Sequence, residues 1–233
     1  MATRPIPSQP HTAVVSSASK SARSDLILWA ILALALLLRL YRLDAPYVDA
    51  HSWRQVTNAD IARLWIERPL NIFYPYVSWG GRDGYVGSEF PLLQAMAAVA
   101  WRVVGHSEPV GRLVSVAFSV VSVWWMYLLG TRLFGRPAGR GAALLLAFSP
   151  SYVYFGRTLL SDVPMMCFSI GAVLAYTKYF FDGERRTDVL MGASCLALAG
   201  LVKIPAVLIL GPVIWIAWLA HRWRLFNDAW FTT

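Results

Sequence analysis

The sequence predicts an all-α fold: a polytopic transmembrane bundle of about six spans, with two interfacial helices in its first large loop. Three observations predict it. The 233 residues are 57% hydrophobic and only 15% charged, and the mean hydropathy of +0.50 lies outside the range of soluble globular domains. The apolar residues gather into runs close to the roughly 20 residues that a bilayer core requires. The short connections between those runs are rich in Arg, as cytoplasmic loops are.

The same distribution excludes other classes. The net charge is +8, but Arg and Lys occur in ones and twos between apolar runs and form no contiguous basic face, so no nucleic-acid partner is expected. Cys167 and Cys195 each lie within an apolar stretch, which supports neither a disulfide framework nor a thiolate metal site. The four histidines, His11, His51, His106 and His221, show no metal-ligand spacing.

Taken in order, residues 1–25 are rich in Ser, Ala and Pro without apolar periodicity, and are expected to form a disordered cytoplasmic tail. The run 26–43 has no small-x-small cleavage site after it and reads as an uncleaved signal anchor. Further spans are expected over 113–134, 138–155, 163–181, 188–202 and 204–220, the last two meeting at Lys203-Ile204-Pro205 in a tight turn or a kink. The run 90–105, FPLLQAMAAVAWRVVG, is short and carries Gln94 and Arg102. If it crossed the membrane, the Arg-rich connection 131–140 would fall outside. If it lies in the interface, 131–140, 181–187 and 221–224 all fall on the cytoplasmic side together with the tail. The chain thus divides into the tail, a membrane module over 26–220 with a large extracytoplasmic loop over 44–112, and a short segment 221–233.

That topology gathers polar groups at one face. Within YVDAHSWRQ (47–55), Ser52-Trp53-Arg54-Gln55 has the S-x-x-Q form of a capping box and predicts a helix over 53–67. Val56, Ile61, Leu64 and Trp65 would give that helix an apolar stripe to rest on the bilayer, with Asp49 and His51 just ahead of its positive end. In GRTLLSDVP (156–164), Asp162 falls at a helix start with Pro164 in the first turn, where its missing N–H costs little. Glu89 precedes the interfacial helix, and Arg112, Arg157 and Lys203 emerge on the same side. A plain reading makes these groups caps, anchors and snorkelling side chains. The chemical reading makes a carboxylate the general base on an acceptor hydroxyl, while Arg54, Arg112, Arg157 and Lys203 stabilise a departing phosphate. No cofactor is required by it, and the carboxylates leave a divalent metal open without demanding one.

The order RLYRLDAPYVDAHSWRQ, SEFPLLQA, VGRLVSVAFS, LFGRPAGR, LLLAFSPSYVYFGRTLLSDVPMM, AGLVKIPAVLILGP resembles the N-terminal half of the C-type integral-membrane glycosyltransferases. The branch it resembles holds the protein O-mannosyltransferases and the bacterial lipid A aminoarabinose transferases, and the likeness covers residues 26 to about 220. No single motif is specific; their order is. The resemblance implies an enzyme that takes a hexosyl or pentosyl group from a polyprenyl-phosphate donor and transfers it, with inversion, to an extracytoplasmic acceptor. It maps a catalytic Asp onto Asp49, a second onto Asp162, a Glu before the second juxtamembrane helix onto Glu89, and lipid-phosphate positions onto Arg157 and Lys203. The implied location is a bacterial inner or plasma membrane, with membrane lipid as surroundings.

The chain departs from that pattern twice: Ala50-His51 follows Asp49 where family members often have Glu, which implies either a substrate contact for His51 or a changed acceptor, and Phe90 stands where the aminoarabinose branch has Lys, which leaves donor-phosphate contacts to other cations. Family members also continue through further spans, so a chain that stops after 221–233 is expected to be a fragment, a truncated product or half of a two-chain enzyme. Two other readings stay open: a transporter or lipid-binding protein without chemistry, for which no internal repeat speaks, and an inactive transferase fragment.

Overall fold

The computed structural model describes residues 25–220 apart from 50, 82–83 and 183–184. Of the expected tail only Asp25 is included, and the segment 221–233, with its basic 221–224, lies outside the described residues. Among the described residues the fold is helical throughout, with no strand and one isolated antiparallel bridge, Tyr76 to Tyr85.

The chain begins with α1, Leu26–Leu40, fastened at both ends by polar side chains. At its start the Asp25 carboxylate accepts from the Leu28 N–H (3.2 Å), from the Tyr127 hydroxyl (2.8 Å) and from Arg140 (3.1 Å). Tyr127 belongs to α4, Glu108–Phe134, and Arg140 to α5, Arg136–Phe148, so one capping acid ties three helices together. α4 and α5 form a hairpin whose backbones touch, because a Cβ on Gly130 would lie 3.0 Å from the Gly139 Cα.

The other end of α1 carries Arg39, fully buried without a carboxylate beside it. It donates to Ser119 Oγ (2.5 Å), to its own helix at Ala35 O (2.9 Å) and to Ala147 O (3.3 Å), and its guanidinium lies over the Tyr152 ring. This arrangement corrects one expectation. The run 138–155 is not one helix but two, α5 and α6 (Pro150–Phe155), broken at Ser149. Pro150 pushes Ser149 out of the α region (φ −54°, ψ 117°) and supplies no N–H. Arg39 donates to a carbonyl exposed at the break, a role hydropathy does not reveal.

α7, Asp162–Asp182, and α8, Arg186–Val202, form a second hairpin, and α7 meets α4 where Gly171 faces the Trp125 ring. Arg132 of α4 forms an ion pair with Asp182 at the end of α7. The chain leaves α8 at Lys203, runs as a 3-10 stretch over Ile204–Ile209 and continues as α9, Leu210–Leu219. α4 (27 residues) and α7 (21 residues) are long and apolar enough to cross a membrane, while α1, α3 (Leu92–Val104) and the stretch Ile204–Trp218 are apolar but shorter.

Between α1 and α4 the chain builds a separate layer. α2, Ser52–Glu67, packs on α3 around Ile61, Trp65, Leu93, Ala97 and Trp101, closed from below by Leu159 and at the side by Tyr47 and Val77. Ile61 and Trp65 are therefore turned inward onto this core, and Leu64 is buried too, rather than outward as an exposed stripe; of the expected set only Val56 is exposed. Burying two indoles and an isoleucine inside the layer stabilises it by several kcal/mol, at about 1.5–3 kcal/mol per large apolar side chain, which an outward stripe would forgo in water.

Candidate active site

The expected capping box at the start of α2 does not form. His51 occupies the N-cap position with a left-handed backbone (φ 60°) and no side-chain cap. Gln55 instead turns its amide to Asp49, donating to the carboxylate through Nε2. A capping box would have used the Gln55 carbonyl oxygen to accept from a backbone N–H; the amide is oriented instead by its Nε2 donating to a charged carboxylate, the stronger kind of hydrogen bond. The Tyr154 hydroxyl also hydrogen-bonds Asp49, and Arg112 Nη2 lies 3.8 Å from it.

Arg112 explains why this segment stays folded. Its side chain is fully buried and donates to Arg157 O (2.8 Å), Ala45 O (2.9 Å) and Pro46 O (3.0 Å). One guanidinium therefore clamps the stretch ahead of Asp49 onto the turn ahead of α7, using the planar fork that Lys lacks. It also lies over the Tyr47 ring, 5.0 Å from its centroid. Burial pushes the Tyr47 phenol up from its ordinary pKa, against the pull of Arg112, and its hydroxyl donates to Glu108 O at 3.0 Å. Arg157 faces away from this clamp: Nη1 donates to Tyr41 O (2.5 Å), and the guanidinium lies between the Tyr41 and Tyr154 rings.

Beside this cluster is an open pocket of about 240 Å³. Trp53, Arg54, Thr57 and Asn58 of α2 line one wall; Ser88 and Glu89 line a second; Ser161, Asp162 and Lys203 line the floor. Lys203 Nζ donates to Asp162 Oδ1 at 2.6 Å, so the pocket acid at the head of α7 is neutralised by the residue that ends α8. Phe90 N–H donates to Leu201 O (3.2 Å), which fixes the Glu89 segment to the same helix end. Glu89 and Arg54 are exposed on opposite walls, and neither makes a hydrogen bond or ion pair with another described residue.

The pocket thus brings together Arg54, Glu89, Asp162 and Lys203. Asp49, His51, Arg112 and Arg157 are not among its lining residues; Asp49 is tied to it through Gln55, next in sequence to Arg54. His51 is exposed, its ring 5.8 Å from Phe155. Sequence reasoning missed the polar seam beneath the pocket: Asn58 donates to Leu159 O (2.8 Å) and accepts from Gln94 Nε2 (2.8 Å). Gln94, buried within an apolar helix, was the signal for it, since a buried amide demands a partner. Among the described residues no three His, Cys, Asp or Glu side chains gather to hold a metal ion.

Electrostatically the pocket mixes signs within a few residues: Arg54 and Glu89 line it with opposite charges, and Lys203 offsets Asp162. The family model described as dolichyl-phosphate-mannose-protein mannosyltransferase matches residues 88–233. The match includes Glu89, Arg112, Arg157, Asp162 and Lys203 and begins after Asp49, His51 and Arg54. No curated protein and no solved structure matches the chain.

Proposed function

The chain belongs to the dolichyl-phosphate-mannose-protein mannosyltransferase family, and from that premise we propose that it transfers a sugar from a polyprenyl-phosphate donor to a hydroxyl of an extracytoplasmic acceptor. The observation that carries this reading is the pocket in which Arg54, Glu89, Asp162 and Lys203 meet from four separate stretches of chain. The proposed topology has six spans, the N-terminus in the cytoplasm, and α2 and α3 lying at the opposite membrane face.

In the proposed reaction Asp49 takes the proton from the acceptor hydroxyl as its oxygen attacks the anomeric carbon. The bond from that carbon to the phosphate oxygen breaks, the electron pair leaves with the polyprenyl phosphate, and the configuration inverts. Lys203 and Arg54 stabilise the departing phosphate, with Arg157 at the membrane side. A phosphate on Lys203 competes with Asp162 for the same ammonium, so Asp162 is released to bind the sugar or acceptor as the donor enters. Glu89 supplies a further acceptor for sugar hydroxyls, and His51 a contact beside the base. Gln55, Tyr154 and Arg112 hold Asp49 in position.

The test is transfer from a radiolabelled polyprenyl-phosphate sugar in membranes containing the chain, beside its Asp49→Asn variant. The expected result is transfer by the unaltered chain and a loss of about 100-fold or more in the variant with donor binding retained. Undiminished transfer in the variant removes Asp49 as base; donor binding absent from both removes the transferase reading.

A further inference from the structure

One exposed indole lines the pocket and a second packs against it, with no core to cover either. Trp53 lines the pocket and is 68% exposed, and Trp79 packs against it with ring centroids 5.7 Å apart and is 59% exposed. In the same layer Trp65 and Trp101 are buried, so the layer has room for indoles inside yet keeps these two outside. Large apolar side chains held outward at a polar cleft mark binding surfaces more often than packing.

The pair is held in place by polar anchors. The Asp60 carboxylate, two turns along α2 from Trp53, accepts from the Ser78 N–H (2.6 Å) and from Ser78 Oγ (2.8 Å), and is itself held by Arg63 (3.0 Å). The stretch that carries Trp79 closes as a tight hairpin, with Val77 N–H to Gly84 O (2.9 Å) and Val86 N–H to Pro75 O (3.0 Å). A Cβ on Gly84 would lie 2.6 Å from the Gly80 backbone, so the close approach needs glycine. The hairpin ends at Val86 and runs directly into Ser88 and Glu89 of the pocket wall. Trp53, Trp79 and Glu89 are thereby linked through the Asp60–Ser78 hydrogen bonds and the Val77–Gly84 and Val86–Pro75 pairings.

We infer that Trp53 and Trp79 form a stacking subsite for a pyranose ring at the pocket mouth. The inference rests on the glycosyltransferase reading and deepens it. A pyranose has an apolar C–H face, which an indole covers, and a rim of hydroxyls, for which Glu89, Asn58 and Thr57 line the same cavity as acceptors and donors. An aromatic pair that served only to rest in lipid would gain nothing from adjoining an exposed carboxylate. The ring belongs either to the donor sugar or to a glycan acceptor, and both present the same face.

The experiment uses the full chain in lipid nanodiscs, with Trp79→Ala, Trp79→Phe and an unaltered control. Trp79 lies outside the buried cores, so unchanged thermal unfolding is expected in both variants. Three probes are titrated: a polyprenyl-phosphate sugar, the same polyprenyl phosphate without sugar, and a free oligosaccharide followed by saturation-transfer NMR. Trp79→Ala is expected to weaken a sugar-bearing probe about three- to tenfold, as loss of an aromatic contact does, with bare polyprenyl phosphate unaffected and Trp79→Phe restoring part of the loss. Weakening of the donor alone assigns the subsite to the donor sugar; weakening of the oligosaccharide alone assigns it to the acceptor. Equal binding of every probe to Trp79→Ala and to the control overturns the inference, as does a change confined to bare polyprenyl phosphate, which would mark the indoles as lipid contacts. Failure of all three probes to bind the unaltered chain overturns both this inference and the transferase reading, whereas oligosaccharide binding without donor binding overturns that reading alone.

Discussion

Replacing Arg112 tests whether the clamp behind Asp49 is what holds the acid in place. In Arg112→Met three carbonyls, on Ala45, Pro46 and Arg157, lose a charged donor, and Asp49 loses the cation at 3.8 Å. Hydrogen bonds to charged groups contribute roughly 1.5–3 kcal/mol each, but the carbonyls nearest the surface regain water, so the full sum is not expected. Removing one side of a buried charged cluster costs about 3–5 kcal/mol, and we take about 4 kcal/mol. For a chain of this size that corresponds to a fall in Tm of about 8–16 °C. Arg112→Lys keeps the charge but reaches one carbonyl of the three, and is expected to lose more than half as much. Arg54→Ala is the control: its side chain is exposed and makes no bond with another described residue, so a change within about 0.5 kcal/mol is expected. Thermal unfolding of the full chain in nanodiscs, followed by proteolysis of the 41–50 stretch, reads all three. An Arg112→Lys variant that melts with the unaltered chain, or an Arg54→Ala variant that falls as far as Arg112→Met, would refute the reasoning, because either result means charge alone, rather than the fork, holds the segment.

Other expectations follow from the same geometry. Burial pushes the Asp60 carboxyl up, but the Ser78 N–H and hydroxyl and Arg63 outweigh it and hold its pKa below the usual value. A carboxyl so depressed contributes stability that is complete above about pH 4 and is lost as pH falls below it. Amide exchange at Ser78, corrected for its intrinsic pH dependence, should stay slow from pH 7 to about 4.5 and accelerate below 4; in Asp60→Asn it should be faster at neutral pH and insensitive to acid. A methyl group at Gly139 would meet the Tyr127 carbonyl at 2.7 Å, so Gly139→Ala should separate α4 from α5 and cost about 1–3 kcal/mol, read as a lower Tm in detergent; an unchanged Tm would show that the hairpin yields without cost.

Helix positions were legible because they follow from composition along the chain. α4, α7 and α8 match the runs 113–134, 163–181 and 188–202 to within a few residues, and Asp162 and Pro164 sit at the helix start that their types demand. What sequence could not settle is direction in space. Ser52 and Gln55 have the spacing of a capping box, yet the Gln55 amide is drawn off to donate to the Asp49 carboxylate, a partner visible only once the chain bends back. Arg54 and Arg112 are equal as residues, but one is open to the pocket and the other is enclosed by three carbonyls. Three of the four residues of the expected stripe on α2 share its buried side and Val56 does not, and the face meets protein; an apolar face does not say whether lipid or another helix covers it. The break at Ser149 was foreshadowed by Pro150, but the residue that completes it, Arg39, lies more than a hundred positions earlier.

The walls of the pocket have a consequence for the order in which the protein is made. Trp53 and Lys203, which face the same cavity, are 150 positions apart, so a ribosome working at about 5–20 residues per second needs roughly 8–30 s between them. The α2–α3 layer has most of its core by the time Trp101 emerges, and then waits for Leu159 and Asp162. The Glu89 segment waits longer still, for the Leu201 carbonyl that receives Phe90. A nascent chain halted before residue 201 should carry both indoles, Glu89 and Asp162 yet lack Lys203, so the pocket acid waits for its counter-ion and the Glu89 segment for its anchor until the turn after α8 has been delivered.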